Sequence, residues 1–261
     1  PIIWKLKTLI KNMINQLSPI EKETLEKNFL KQNFKFVEKK IKGFLANGYN
    51  EEWMNGVLAI SYVKQKKYDD AEKEFINIIK KEPKELSNYL NLANLYRETN
   101  SYKKCIEVLD NSEFDLLPQE LKLERLFLRA RAHLLDENYE KVLDLLKNNN
   151  SRESHIIRAE VFWKSKDWLK TVSELEKALD LRWQSSEPLN FDERNQVMQM
   201  TVSLALLDDW ENLKLVRNKW INLMKNSKDA EPFDILTLDP DTDSVDFRQV
   251  AGRIAQIDTL D

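Results

Sequence analysis

The sequence predicts an all-α protein, an α-solenoid of stacked helix-turn-helix hairpins, on three observations. A polar turn followed by an aromatic returns at Phe34, Tyr68, Tyr102, Tyr139, Trp168 and Trp210, and the first three are 34 residues apart. On both sides of each aromatic, apolar residues recur at helical spacing, as in Trp53, Val57 and Ile60 and then Ala71, Phe75, Ile78 and Ile79. Only 4 of the 261 residues are Gly and 7 are Pro, with 42% apolar and 33% charged, which leaves few breaks in a helical chain and excludes a disordered or fibrous one. A fixed period of this length marks a repeat array, in which each hairpin buries its apolar face against the next.

Taken in order, residues 1–17 read as an amphipathic helix, with Ile2, Ile3, Leu6, Leu9, Ile10, Met13, Ile14 and Leu17 on one side and Lys5 and Lys11 toward the other. Ser18-Pro19 is a start signal, Ser as N-cap and Pro at the first helical position. About six hairpins then fill 18–225, at roughly 18–51, 52–85, 86–119, 123–151, 152–182 and 194–225. The period drifts after Tyr102, as it does when loops and helix lengths vary. Residues 226–244 read as an acidic linker, and "VDFRQVAGRIAQI" within 245–261 as a short C-terminal helix that either caps the array or occupies its groove.

The 34-residue unit resembles the tetratricopeptide repeat (TPR). Counting Glu52 as position one, the family's places fall on Leu58, Ala59, Tyr62, Tyr68, Ala71, Phe75 and Pro83, and in the next unit on Tyr89, Leu92, Ala93, Tyr96, Tyr102, Cys105 and Leu109. The usual Trp near Asn55 and Gly at Ala59 are missing, and the outer units keep the aromatic but few other marks. The resemblance implies a right-handed superhelix whose inner groove, lined by the first helix of each hairpin, holds a peptide or partner segment. Ala59, Ala93, Ala130 and Ala159 sit where neighbouring helices approach closely, and the turn aromatics are expected to fill the wedge between hairpins.

Chemistry has poor raw material here. The only histidines, His133 and His155, have no partnership with Cys105 or a Ser/Asp pair, and both His133 and Cys105 take packing positions in the repeat. With Gly at 43, 48, 56 and 252 alone, no glycine-rich phosphate loop can be written. Asp239, Asp241, Asp243 and Asp246 lack the glycine and distant glutamate of a calcium loop. No enzyme activity, cofactor or metal is expected.

A net charge of −3 gives no general attraction to nucleic acid, so a protein or peptide partner is expected instead. Ten lysines against four glutamates in residues 1–45 face nine acidic residues against three basic ones in 226–261. One cysteine and no apolar run of spanning length point to a soluble chain in the cytoplasm, with peripheral membrane contact through residues 2–17 as the alternative. On the repeat register the partner-binding residues are Trp53, Asn91, Asn94, Arg97, Phe127, Arg131, Trp163 and Lys164. The polar ones suit backbone and carboxylate groups, and the aromatics suit apolar anchors. The family's chaperone-tail clamp asks for Lys and Asn where this chain has Gly56 and Ile60, so that function is not expected. The expected role is a non-catalytic scaffold or adaptor.

Overall fold

A computed structural model describes residues 17–49, 52–112 and 118–238. The helices expected over 2–17 and 245–261 and the four aspartates from Asp239 to Asp246 lie outside these, apart from Leu17. The described residues form thirteen α-helices in two units, one ending at Asp136 and the other starting at Glu137. The first unit holds α1 (Pro19–Leu30), α2 (Phe34–Ala46), α3 (Glu52–Lys64), α4 (Tyr68–Lys81), α5 (Leu86–Glu98), α6 (Tyr102–Asp110) and α7 (Gln119–Leu135). The second holds α8 (Tyr139–Leu146), α9 (Arg152–Lys164), α10 (Trp168–Leu179), α11 (Phe191–Leu206), α12 (Trp210–Met224) and α13 (Ala230–Thr237), with a short 3₁₀ turn at Arg182–Gln184. Within each unit every helix packs on the next in sequence, and α5 also packs on α7. The fold is all-α, of the α-solenoid class, and its hairpin packing fits a tetratricopeptide-like arrangement.

Local chemistry sets the boundaries. Ser18 caps α1 as expected: its Oγ accepts from the Glu21 N–H at 3.3 Å while the Glu21 carboxylate accepts from the Ser18 N–H at 3.1 Å, with Pro19 at the first helical position. Asn190 and Glu193 build the same reciprocal cap at α11, starting that helix at Phe191. Asp209 caps α12 by accepting from the Asn212 N–H at 3.2 Å. Asp69 and Asp70 sit in the first turn of α4, where their charge complements the helix dipole.

The turn before each aromatic has one geometry throughout. Gln32, Lys66, Asn100, Glu137, Lys166 and Asp208, each two residues before the aromatic, have φ between 56° and 59°. In the second hairpin the Lys66 N–H donates to the Val63 carbonyl and the Lys67 N–H to the Tyr62 carbonyl, both at 2.9 Å. Lys166 and Asp167 repeat this with Trp163 and Phe162 at 3.0 and 2.8 Å. These are paired carbonyl-closing bonds of a Schellman turn, whose left-handed residue is usually glycine. A side chain there costs on the order of 1 kcal/mol. Lys66→Gly and Lys166→Gly should therefore each stabilise the chain by about 1 kcal/mol and, being far apart in sequence and in separate units, add together. Urea midpoints of both single variants and the double variant test this.

The aromatics do not fill the wedge as expected: all six are only half-buried. The fully enclosed position is three residues later, at Val37, Ala71, Cys105, Val142, Thr171 and Leu213. Behind it lie Ile41, Phe75, Leu109, Leu146 and Leu175, each seven residues past its aromatic. The reason is register: the aromatic is the first residue of its helix, at the hairpin's tip, whereas the next turn faces the preceding helix squarely. Ala59, Ala93, Ala130 and Ala159 are buried as their close-approach role requires. Burial also pushes the Cys105 thiol up to about 11, so it stays protonated at neutral pH.

The stretch read as an acidic linker contains a packed helix. α13 places Phe233 and Leu236 fully inside the second unit's core against α11 and α12, while Arg217 donates to Asp234 at 2.7 Å and to Thr237 at 2.8 Å. Two apolar residues three apart are enough to seat one face of a two-turn helix, and the acidic residues around them obscured it.

Candidate functional site

The expected partner-binding residues divide between the units, six in the first and two in the second. In the first unit, Asn91, Asn94 and Arg97 on α5 and Phe127 and Arg131 on α7 are all half-buried, on two first helices that pack together. Their neighbours Leu90, Leu92, Ala93, Leu95 and Tyr96 are buried, so α5 has one face in the core and another that keeps its polar groups. Asn94 donates through Nδ2 to the Leu90 carbonyl at 2.9 Å, which steers its Oδ1 away from its own backbone. Arg97 makes no ion pair among the described residues. The array can offer a hydrogen-bond acceptor, a guanidinium and an aromatic edge along one stretch of helix surface.

Trp53 and Trp163 sit differently. They are 8% and 7% exposed, and each belongs to its own unit's core. Trp163 stacks edge-to-face on Trp168 at 5.3 Å between ring centroids, as Phe29 does on Phe34 at 5.4 Å. A residue five before the turn aromatic thus closes the hairpin when it is itself aromatic. Arg97 holds the equivalent place before Tyr102, but is half-buried and charged. Lys164, next to Trp163, is exposed.

Sequence reasoning missed the polar joints that hold successive hairpins in register. Glu38 on α2 accepts from Lys67 at 2.7 Å, Gln65 at 2.9 Å and Lys42 at 2.8 Å. Glu72 on α4, one period of 34 residues on, accepts from the Tyr96 hydroxyl at 2.7 Å and Lys104 at 3.1 Å. The 34-residue spacing was the available signal. Tyr96 fixes one end of the α5 surface, and burial together with the Glu72 carboxylate raises its phenol well above the usual range.

Burial alone would raise the Glu38 carboxyl, but hydrogen bonds from Lys42, Lys67 and Gln65 outweigh it and hold it down to about 2. Its folded value lies below its ordinary 4.5, so its stabilisation is present above pH 4.5 and fades as pH falls toward 2. Glu38→Gln should cost about 1–3 kcal/mol at neutral pH, because Lys67 and Lys42 lose a charged partner. The gap between variant and wild-type urea midpoints should narrow through that acid window, and a constant gap would refute this assignment.

A second joint is an arginine reaching back to the end of the preceding helix. Arg125 on α7 donates through Nε and Nη2 to the Leu109 carbonyl at 3.0 and 2.5 Å. Arg158 on α9 donates through Nη1 to the carbonyls of Leu146 and Asn149, both at 2.9 Å. Helix C-termini leave carbonyls without intrahelical partners, and a guanidinium is well shaped to satisfy them. His133 is buried, and among the described residues no three of His, Cys, Asp and Glu gather so as to hold a metal ion. No described helix is long and apolar enough to cross a membrane.

Against known proteins, no family model matches the chain and no curated protein matches its sequence. Among solved structures it is similar to one described as the functional characterization of Pseudomonas aeruginosa PilF, with a TM-score of 0.55 and 12% identity, covering 88% of this chain and 96% of that one. At that identity the likeness shows the fold alone, and it extends over nearly all of both chains.

Proposed function

We propose that this chain is a non-catalytic interaction scaffold, binding a segment of a protein partner along the first-helix surface of its first unit. The supporting observation is the half-buried set Asn91, Asn94, Arg97, Phe127 and Arg131 on two packed helices whose other faces are committed to the core. Asn94 and Arg97 lie one helical turn apart, as do Phe127 and Arg131, so each helix carries a paired contact. An extended or helical segment bearing a carboxylate or backbone groups is the chemistry these residues take. Trp53 packs in the first unit's core beneath its own helix, and Trp163 packs in the core of the second unit. Peripheral membrane contact through residues 2–17 is the alternative placement for the chain, resting on their amphipathic sequence.

Crosslinking capture from the native cell tests the reading, comparing wild type with a variant carrying Asn94→Ala, Arg97→Ala and Arg131→Ala at equal helicity. A partner captured by wild type and lost by the variant supports this surface. Capture by both moves the contact elsewhere on the chain, and co-sedimentation of wild type but not an 18–261 form with anionic vesicles would favour the membrane alternative.

A further inference from the structure

The second unit has a recess of about 460 Å³ lined by Lys147, Asn150, His155, Arg158, Glu174 and Lys177. Its floor is built from buried groups. His155, Arg158 and Glu174 are each 9% exposed. Glu174 Oε2 accepts from Arg158 Nε at 2.8 Å and lies 2.8 Å from His155 Nδ1, while Oε1 accepts from Lys177 at 3.0 Å. Burial alone would raise the Glu174 carboxyl, but those three donors hold it below its usual range. Arg158 Nη2 approaches His155 Nδ1 at 2.8 Å, and Nη1 serves the two carbonyls at the end of α8 and beyond it. His155 Nδ1 either donates to Glu174 or accepts from Arg158, so the floor's polar groups are largely spent on one another, and its one carboxylate is neutralised.

With Arg158 balancing Glu174 in the floor, the cations at the rim are Lys147 and Lys177. Both lysines are more than half exposed. Lys147 pairs with Asp144 at 2.8 Å, but in water such an exposed pair is worth about 0–1 kcal/mol and yields readily to a better anion. Lysine ammonium groups carry three donors each, and the Asn150 amide adds two more. A cavity with a neutralised polar floor and exposed cations at its mouth is complementary to a tetrahedral dianion.

We propose that this recess is an oxyanion site that takes a phosphate group, held by Lys147, Lys177 and Asn150 over the His155–Glu174–Arg158 floor. It is separate in sequence from the first-helix surface of the first unit and independent of that surface's role.

The chain's only two histidines make the test direct. Their ring proton resonances, assigned with His133→Asn, are followed while the full chain is titrated with inorganic phosphate, sodium acetate or sodium chloride at matched ionic strength and pH. Phosphate should shift the His155 signal saturably and leave His133 in place. Lys147→Ala with Lys177→Gln, two exposed changes that leave the floor's arginine and histidine intact, should weaken that response roughly tenfold or more. Acetate should bind more weakly. An equal response to chloride, tighter binding of acetate, or undiminished phosphate binding by the double variant would each overturn the proposal.

Discussion

Phe75→Ala should destabilise the first unit by about 3–5 kcal/mol, whereas Tyr68→Ala, seven residues earlier in the same helix, should cost only about 1–2 kcal/mol. The difference follows from where the repeat encloses its side chains. Phe75 is 1% exposed and belongs to the cluster formed by Ala71, Ile78, Leu90, Ala93 and Tyr96, so its removal opens a cavity that α4 and α5 must hold open or collapse into. Tyr68 is half-buried, so a smaller share of its ring surface returns to water when it is truncated. In a repeat array each hairpin is stabilised chiefly by its neighbours, so the loss should be local. Hydrogen exchange by mass spectrometry is the suitable readout: protection should fall across 52–110 in Phe75→Ala and remain across 152–224. Equal costs for the two variants would restore the turn aromatics as the principal wedge.

That contrast also marks what was legible in the sequence. The period, the helical stripes and the small residues at Ala59, Ala93 and Ala130 were readable because burial repeats with the chain's own spacing. The aromatics mislead, since a large side chain at a recurring place resembles a core anchor until its position at the helix start is known. The left-handed turn residues were hidden because none is glycine: Lys66, Glu137 and Lys166 carry no conformational signature. α13 was hidden in an acidic stretch by its length of 8 residues. For the candidate surface, register located Asn91, Asn94, Arg97, Phe127 and Arg131 on their helices, but it could not separate Trp163 from Lys164, adjacent residues with opposite burial. The arginine joints were beyond reach because they answer carbonyls left open at helix ends, and which carbonyls those are depends on where each helix stops.

Arg158→Met should be among the most damaging single changes in the second unit, costing about 3–5 kcal/mol, because it breaks a buried ion pair from one side. Glu174 would remain nearly enclosed with His155 and Lys177 as its only donors, and the Leu146 and Asn149 carbonyls would lose the guanidinium that joins α8 to α9. Glu174→Gln should cost less, about 1–3 kcal/mol, since the amide keeps the shape and one oxygen acceptor while Arg158 retains both carbonyls. The two effects should not add: with Glu174 already neutral, Arg158→Met no longer strands a buried charge, so the double variant should be more stable than the sum of the single losses implies. A double-mutant cycle from urea unfolding, read alongside hydrogen exchange over 139–179, measures that coupling. Strict additivity would mean that the carbonyl contacts alone carry Arg158's role. A large coupling would make the Glu174 pair the stronger part of the clamp, holding α9 to α10 while the carbonyl bonds hold α9 to α8.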